Sequence, residues 1–388
     1  MVVSSSATRL AGAGTATGPD AVREAVAGAI ADLEASDPGL VIFFPAATAD
    51  AAPLARAAAE AAHGVPIAGL SSGAQIAGSG VVTGGCSAIA FDRSMRVGVG
   101  VIDNASRAPR QAGREATRRA LAQVDPAAGH PLLLLFLDPA TDDQADTLAG
   151  AYEVAGARIP LAGGVGGGAA PVQFNGEGSH RDSVVAVAIV SPNPLGVGLA
   201  HGCRPVGVPA IVTAAHGRSV RQLDGRPAET VYLETIGRAG ERLDDAAFAV
   251  LAVVHPLIQP DLNDDVRIRH VWGRASDGGL LCATRITANA AVQVAVESRA
   301  GIVSSASQAV GDALAGLGGM PARAALVFDC ASRHWAADDA TLELEVAAMA
   351  GRLAAPVCMA GGYTHGEVGR VRGATGDRSH AVVVATFA

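Results

Sequence analysis

Residues 86–191 and 282–388 follow one plan, and that repetition restricts the fold more than any other feature of the chain. Each segment opens on a strand, then a second strand (Val97–Ile102; Val292–Val296), and continues through a helix (Arg110–Gln123; Ser304–Leu317). An apolar strand ending in Phe and a polar loop come next, reading Phe136-Leu137-Asp138-Pro139-Ala140 and Phe328-Asp329-Cys330-Ala331-Ser332. A further helix leads to Pro160-Leu161-Ala162-Gly163-Gly164 and to Pro356-Val357-Cys358-Met359-Ala360-Gly361-Gly362, and each segment closes on alternating Val and Ala. Cys282 follows Cys86 by 196 positions, Phe328 follows Phe136 by 192, and Pro356 follows Pro160 by 196. So steady an offset predicts an internal duplication, with two halves about a pseudo-twofold axis. In such chains ligands favour the cleft between the halves, walled by loops at strand C-termini. The glycine-rich turns suit that wall, because glycine permits close backbone approach and leaves N–H groups free to donate.

Elsewhere, apolar runs bounded by Gly and Pro alternate with Ala-rich stretches of helical period. Helices are predicted at Ala21–Leu33, Ala51–Ala62 and Asp143–Ala155, and strands at Leu40–Phe44, Pro66–Gly69, Leu132–Leu137 and Ser183–Val190. The fold class is α/β: two modules of mixed β-sheets flanked by helices. The expected boundaries are an N-terminal extension and helix over 1–35, a first module over 36–237 and a second over 238–388. Hydrophobic residues are 49% but aromatics only 3%, so the core must be built from Ala, Val, Leu and Ile. The net charge is −8 with no basic cluster, which argues against nucleic acid and against an acidic membrane surface. Five scattered cysteines without a C-x-x-C pair, and an N-terminus without an apolar leader, predict free thiols in the cytoplasm. No apolar run approaches the ~18 residues of a membrane span.

Several side chains could carry chemistry. Cys330 ends a strand and enters a loop, where a nearby cation would activate its thiol; otherwise it is a small buried hydrophobe. His365 and Glu367 sit beside Gly361, Gly362 and Gly366, and alternation puts both on one face of an extended segment. They could act as acid and base, yet no third ligand is identifiable by spacing, so no metal is expected. Glu367 reads better as an anchor for an amine or amide, and Arg333 as a bidentate partner for a carboxylate or for a protein carboxyl group. His201, before Gly202 and Cys203 at a strand end, is the candidate axial haem ligand. The Gly163-Gly164-Val165-Gly166-Gly167-Gly168 run lacks the Lys-Ser/Thr of a phosphate loop.

The run Pro66-Ile67-Ala68-Gly69-Leu70-Ser71-Ser72-Gly73-Ala74-Gln75-Ile76, the pair Gly163-Gly164, and Leu223-Asp224-Gly225-Arg226-Pro227-Ala228 resemble the N-terminal module of the FIST family. Leu326-Val327-Phe328-Asp329-Cys330-Ala331-Ser332-Arg333 and Gly361-Gly362-Tyr363-Thr364-His365-Gly366-Glu367 resemble its C-terminal module. The likeness covers residues 36 to 388. It departs from the family's first glycine turn, which often carries Cys and Glu where this chain has Leu70 and Gln75. The resemblance implies a stand-alone pair of sensory modules that bind a small ligand such as an amino acid and act on a separate signalling protein. A subgroup binds haem and senses nitric oxide. The expectation is therefore a binding protein, needing no cofactor, rather than an enzyme. A polar ligand would lie between the modules, held by Ser71, Ser72, Gly73, Gln75, Gly163, Gly164, Gly362 and Tyr363, with Arg333 and Glu367 as charged anchors. The rivals are a hydrolase or transferase using Cys330 or the His365/Glu367 pair, and a haem-based nitric-oxide sensor using His201.

Overall fold

The computed structural model describes residues 9–34, 36–78, 80–140, 144–260, 266–354, 356–370 and 376–388. Residues 1–8 of the expected N-terminal extension, and the expected helix start at Asp143, lie outside the described residues.

Three six-stranded sheets share one strand order. In the first, Ala11–Thr17 pairs antiparallel with Gly85–Asp92, which pairs antiparallel with Pro38–Pro45, and Ile67–Leu70 continues parallel to the last. The second repeats this with Arg96–Asp103, Ser183–Ser191, His130–Leu137 and Leu161–Val165. The third uses Leu195–His201, Ala381–Phe387, Ala324–Cys330 and Cys358–Thr364. Each unit then lends a two-stranded segment to another sheet. Gln75–Ala77 and Gly80–Val82 extend the third sheet, Gln173–Asn175 and Gly178–His180 the first, and Glu367–Arg370 and Asp377–Arg378 the second. The exchange is cyclic, so every sheet is completed by a different unit.

Of the two segments expected to match, His130–Leu137, Leu161–Val165 and Ser183–Ser191 correspond to Ala324–Cys330, Cys358–Thr364 and Ala381–Phe387. The opening strands do not: Gly85–Asp92 lies in the first sheet and Leu280–Cys282 in a separate nine-stranded one. A third copy occupies residues 11–92, beginning inside what the sequence suggested was an N-terminal extension and helix and running on into the expected first module. The counterpart of Val97–Ile102 is Leu195–His201, not Val292–Val296. The latter lies in Ala291–Val296, which pairs with Leu257–Pro260 and Ala210–His216 in that nine-stranded sheet. That sheet belongs to a unit inserted after His201 and ending before the helix Arg299–Ala315, with its own core around Tyr232 and Phe248.

Alternation along the strands sets the layers. Leu40, Ile42 and Phe44, Leu132, Leu134 and Phe136, and Leu326 and Phe328 all point into one core shared by the three sheets. At its centre the Phe328 ring lies 5.6 Å from Phe44 and 6.0 Å from Phe136. The intervening residues face outward onto paired helices. Ala21–Ala31 and Ala52–Ala62 cover the first sheet, Pro109–Leu121 and Gln144–Ala155 the second, and Arg299–Ala315 and Asp339–Leu353 the third. With few aromatics to fill space, helix and strand close up backbone to backbone. The first strand of every unit carries Gly-x-Gly (Gly12 and Gly14, Gly98 and Gly100, Gly196 and Gly198) against alanines four apart on the next helix. A Cβ on any of the six would lie 1.8–2.3 Å from a helix carbonyl oxygen. Among the described residues no helix is long and apolar enough to cross a membrane, and all five cysteines are free.

Candidate functional site

The borrowed segments open at equivalent positions on Gln75, Gln173 and Glu367. Gln75 is saturated: Oε1 accepts from Gly85 N–H at 3.0 Å and Nε2 donates to Ser72 Oγ at 3.1 Å. Gln173 is likewise engaged, accepting from Ser183 Oγ at 2.7 Å and donating to Leu137 O at 3.0 Å. Both amides act as joints between sheets. The third copy places a carboxylate in that joint. Glu367 is 1% exposed; Oε1 accepts from Thr364 Oγ1 at 3.2 Å, and Oε2 has no hydrogen-bond partner among the described residues. Burial, then the Asp329 carboxyl group, pushes Glu367 well above the usual carboxylate range, against the pull of Cys330, Thr364 and the Ala381 N–H.

Glu367 borders a cavity of about 190 Å³. Its own segment contributes His365, Asp377 and Arg378, the second unit contributes Pro139 and Val165, and the inserted unit contributes Arg218, Trp272 and Thr284. His365 Nε2 accepts from Gly168 N–H at 3.3 Å, and burial lowers its pKa, so the ring is neutral. Trp335 stands 5.9 Å from His365 ring to ring. Both tryptophans of the chain are about half exposed, Trp272 at 48% and Trp335 at 56%. Nothing local distinguishes Arg218, Thr284, Asp377 or Arg378 in the sequence; the rarity of tryptophan was the one signal available.

The other anticipated residues are placed differently. Gly163 and Gly164 are not in an open turn but in the strand Leu161–Val165, opposite Val368 and Glu367, and Gly362 pairs with Gln75 and Phe328. Gly73 N–H donates to Tyr363 O at 2.8 Å, and Ser71 Oγ donates to Gly167 O at 3.1 Å. The close approach that glycine permits is spent joining sheets. Arg333 is not on a loop. It lies on the short helix Ala331–Ala336, fully buried, where Nε donates to Asp329 Oδ1 at 2.7 Å and Nη1 to Ser305 Oγ at 2.8 Å. Nη2 reaches Ile302 O at 2.9 Å and Glu345, whose other oxygen accepts from Tyr363 Oη at 2.8 Å. An arginine so engaged is internal scaffolding, and Tyr363 belongs to the same network. Cys330 caps that helix at 4% exposure with Ser332 Oγ 2.9 Å from its sulfur; burial, reinforced by Glu367, pushes the thiol up, away from nucleophilic reactivity. His201 ends the strand Leu195–His201 opposite Ala381, half-buried and outside the lining of the Glu367 cavity.

Residues 39–226 match the FIST N domain and residues 228–370 the FIST C domain. The Glu367 cavity draws its walls from both matched regions. No curated protein matches the chain. FIST domains are associated with ligand binding in sensory signal transduction. With both domains present in order and spanning nearly the whole described fold, the chain belongs to the FIST family.

Proposed function

We propose that this chain is a small-molecule-binding sensory protein whose polar ligand occupies the cavity beside Glu367. The observation that carries the reading is the replacement of two saturated glutamines by one buried carboxylate with an unengaged oxygen. A buried acceptor without a partner costs free energy, which a ligand N–H or O–H recovers on binding. Arg378 and Arg218 line the same space and supply positive charge for a carboxylate, so a molecule bearing both signs, such as an amino acid, fits its chemistry. The volume lies below the ~300 Å³ at which drug-sized pockets begin, which limits the ligand to a few heavy atoms. Because the inserted unit closes one side, occupancy would be felt by the exposed Trp272 face, where a separate signalling protein could read it. Free thiols fit a reducing, cytoplasmic setting.

Native mass spectrometry of the purified protein identifies the co-purified molecule, and calorimetric titration then compares wild type with Glu367→Gln. Glutamine already serves at both equivalent joints, so the variant folds. With an amide in place of the acid's free oxygen, a ligand donor loses its buried acceptor, which weakens binding by roughly 1–3 kcal/mol, or about five- to 150-fold. Unchanged affinity refutes the site. Consumption of the bound molecule by wild type, lost in His365→Ala, would instead make the neutral His365 and Glu367 an acid–base pair. A Soret band in the visible spectrum would move the protein to the haem class.

A further inference from the structure

We propose that Cys203, Glu297 and His380 form a binding site for a divalent transition metal of the zinc type, which ties both ends of the inserted unit to the third repeat. Cys203 follows the strand Leu195–His201, where the chain leaves the repeat. Glu297 precedes Ser298, the cap of the helix Arg299–Ala315, where the chain returns. His380 precedes the strand Ala381–Phe387 of the repeat itself. All three are buried, with exposures of 6%, 5% and 0%. Cys203 Sγ is 3.2 Å from Glu297 Oε2, His380 Nδ1 is 3.3 Å from the same oxygen, and all ligand atoms lie within 4.8 Å of one another. A tetrahedral zinc ion with ordinary Zn–S, Zn–N and Zn–O bonds sets such edges at about 3.4–3.6 Å. Small side-chain adjustments therefore admit the ion.

Two further observations point to a ligand. Glu297 Oε1 is buried without a hydrogen-bond partner among the described residues. Gly202 makes room for it: a Cβ there would lie 2.7 Å from that oxygen. The far nitrogen of His380, Nε2, sits 2.9 Å from His270 Nδ1, so it can donate its N–H there and leave Nδ1 as the lone-pair nitrogen facing the ion. Arg333, the nearby cation, is already paired with Asp329 and Glu345. Thiolate, imidazole and carboxylate together suit zinc and disfavour magnesium or calcium, which prefer oxygen alone. Binding sends the Cys203 proton to solvent, leaving thiolate, carboxylate and neutral imidazole on the ion. A fourth position is left for a further ligand.

The test uses the full-length protein, stripped with a chelator and reloaded with zinc or cobalt(II) alone. Elemental analysis after dialysis should find one zinc per chain, and the cobalt form should show a thiolate-to-metal charge-transfer band. That band should vanish in Cys203→Ser and persist in Cys330→Ser and Cys358→Ser. Folded wild-type protein that retains no stoichiometric metal, or binds cobalt without a thiolate band, overturns the proposal. So does a band that survives in Cys203→Ser. Should Cys203→Ser fail to fold, the wild-type band and its persistence in Cys330→Ser decide.

Discussion

Replacing Arg333 with alanine distinguishes a scaffold residue from a ligand anchor. The guanidinium is fully buried and holds Asp329, Glu345, Ser305 and the Ile302 carbonyl at once. Its removal strands two carboxylates without a counter-charge, and breaking a buried pair in this way costs about 3–5 kcal/mol. That is a large part of the ~5–15 kcal/mol that holds a domain together. At a slope of about 3 kcal/mol per molar, the urea midpoint followed by circular dichroism should fall by about 1–1.7 M. The loss should depend on pH. Burial already holds Asp329 above the usual carboxylate range, with Arg333 opposing it, so loss of the guanidinium raises it further. A carboxyl group whose folded pKa exceeds its unfolded value contributes stability below the unfolded pKa, and that contribution disappears as pH rises through the folded pKa. The deficit of Arg333→Ala should therefore be smaller near about pH 5 than near about pH 8. Adding Asp329→Asn and Glu345→Gln to Arg333→Met should recover most of the loss, because no uncompensated charge remains. A variant that unfolds at the wild-type midpoint at both pH values, with only ligand affinity changed, would refute the scaffold reading.

Three further outcomes are expected. Gly198→Ala places a Cβ 2.0 Å from Ala309 O, which should cost about 1–3 kcal/mol; calorimetry should show a lowered Tm, whereas Gly176→Ala, with nothing within 4 Å, should melt like wild type. Native alkylation followed by mass spectrometry should modify Cys358 first, since it alone of the five is partly exposed, although burial and Asp32 push its thiol up to about 11. Cys86, Cys203, Cys282 and Cys330 are buried and should react only after denaturation. Glu367, raised by burial, should make wild type lose stability between about pH 5 and about pH 8, and Glu367→Gln should remove that part of the slope; parallel melting curves for the two proteins would contradict the assignment.

Much of the architecture was readable from local pattern. The alternating apolar strands at Leu40–Phe44 and Leu132–Leu137, the Ala-rich helices between them and the α/β class follow from periodicity, which reflects only which face of each element meets water. The recurrence of the Phe136 and Phe328 strand ends exposed a repeat. Its first copy was obscured because Ala11–Thr17 is a strand built from Ala, Gly and Thr with no apolar alternation. The Gly-x-Gly shared with Arg96–Asp103 and Leu195–His201 was the available clue. What the sequence determined by itself was therefore the elements and the family. The tertiary structure decided which strands share a sheet, because pairing between segments hundreds of residues apart leaves no local period. It also decided that the glycines of the Gly-rich turns join sheets, that Arg333 is interior, and that Trp272 and Thr284 of the inserted unit line the cavity beside Glu367. Burial and unsatisfied hydrogen bonds are properties of the assembled chain; a lone carboxylate among glutamines acquires its meaning only when three distant segments close around it.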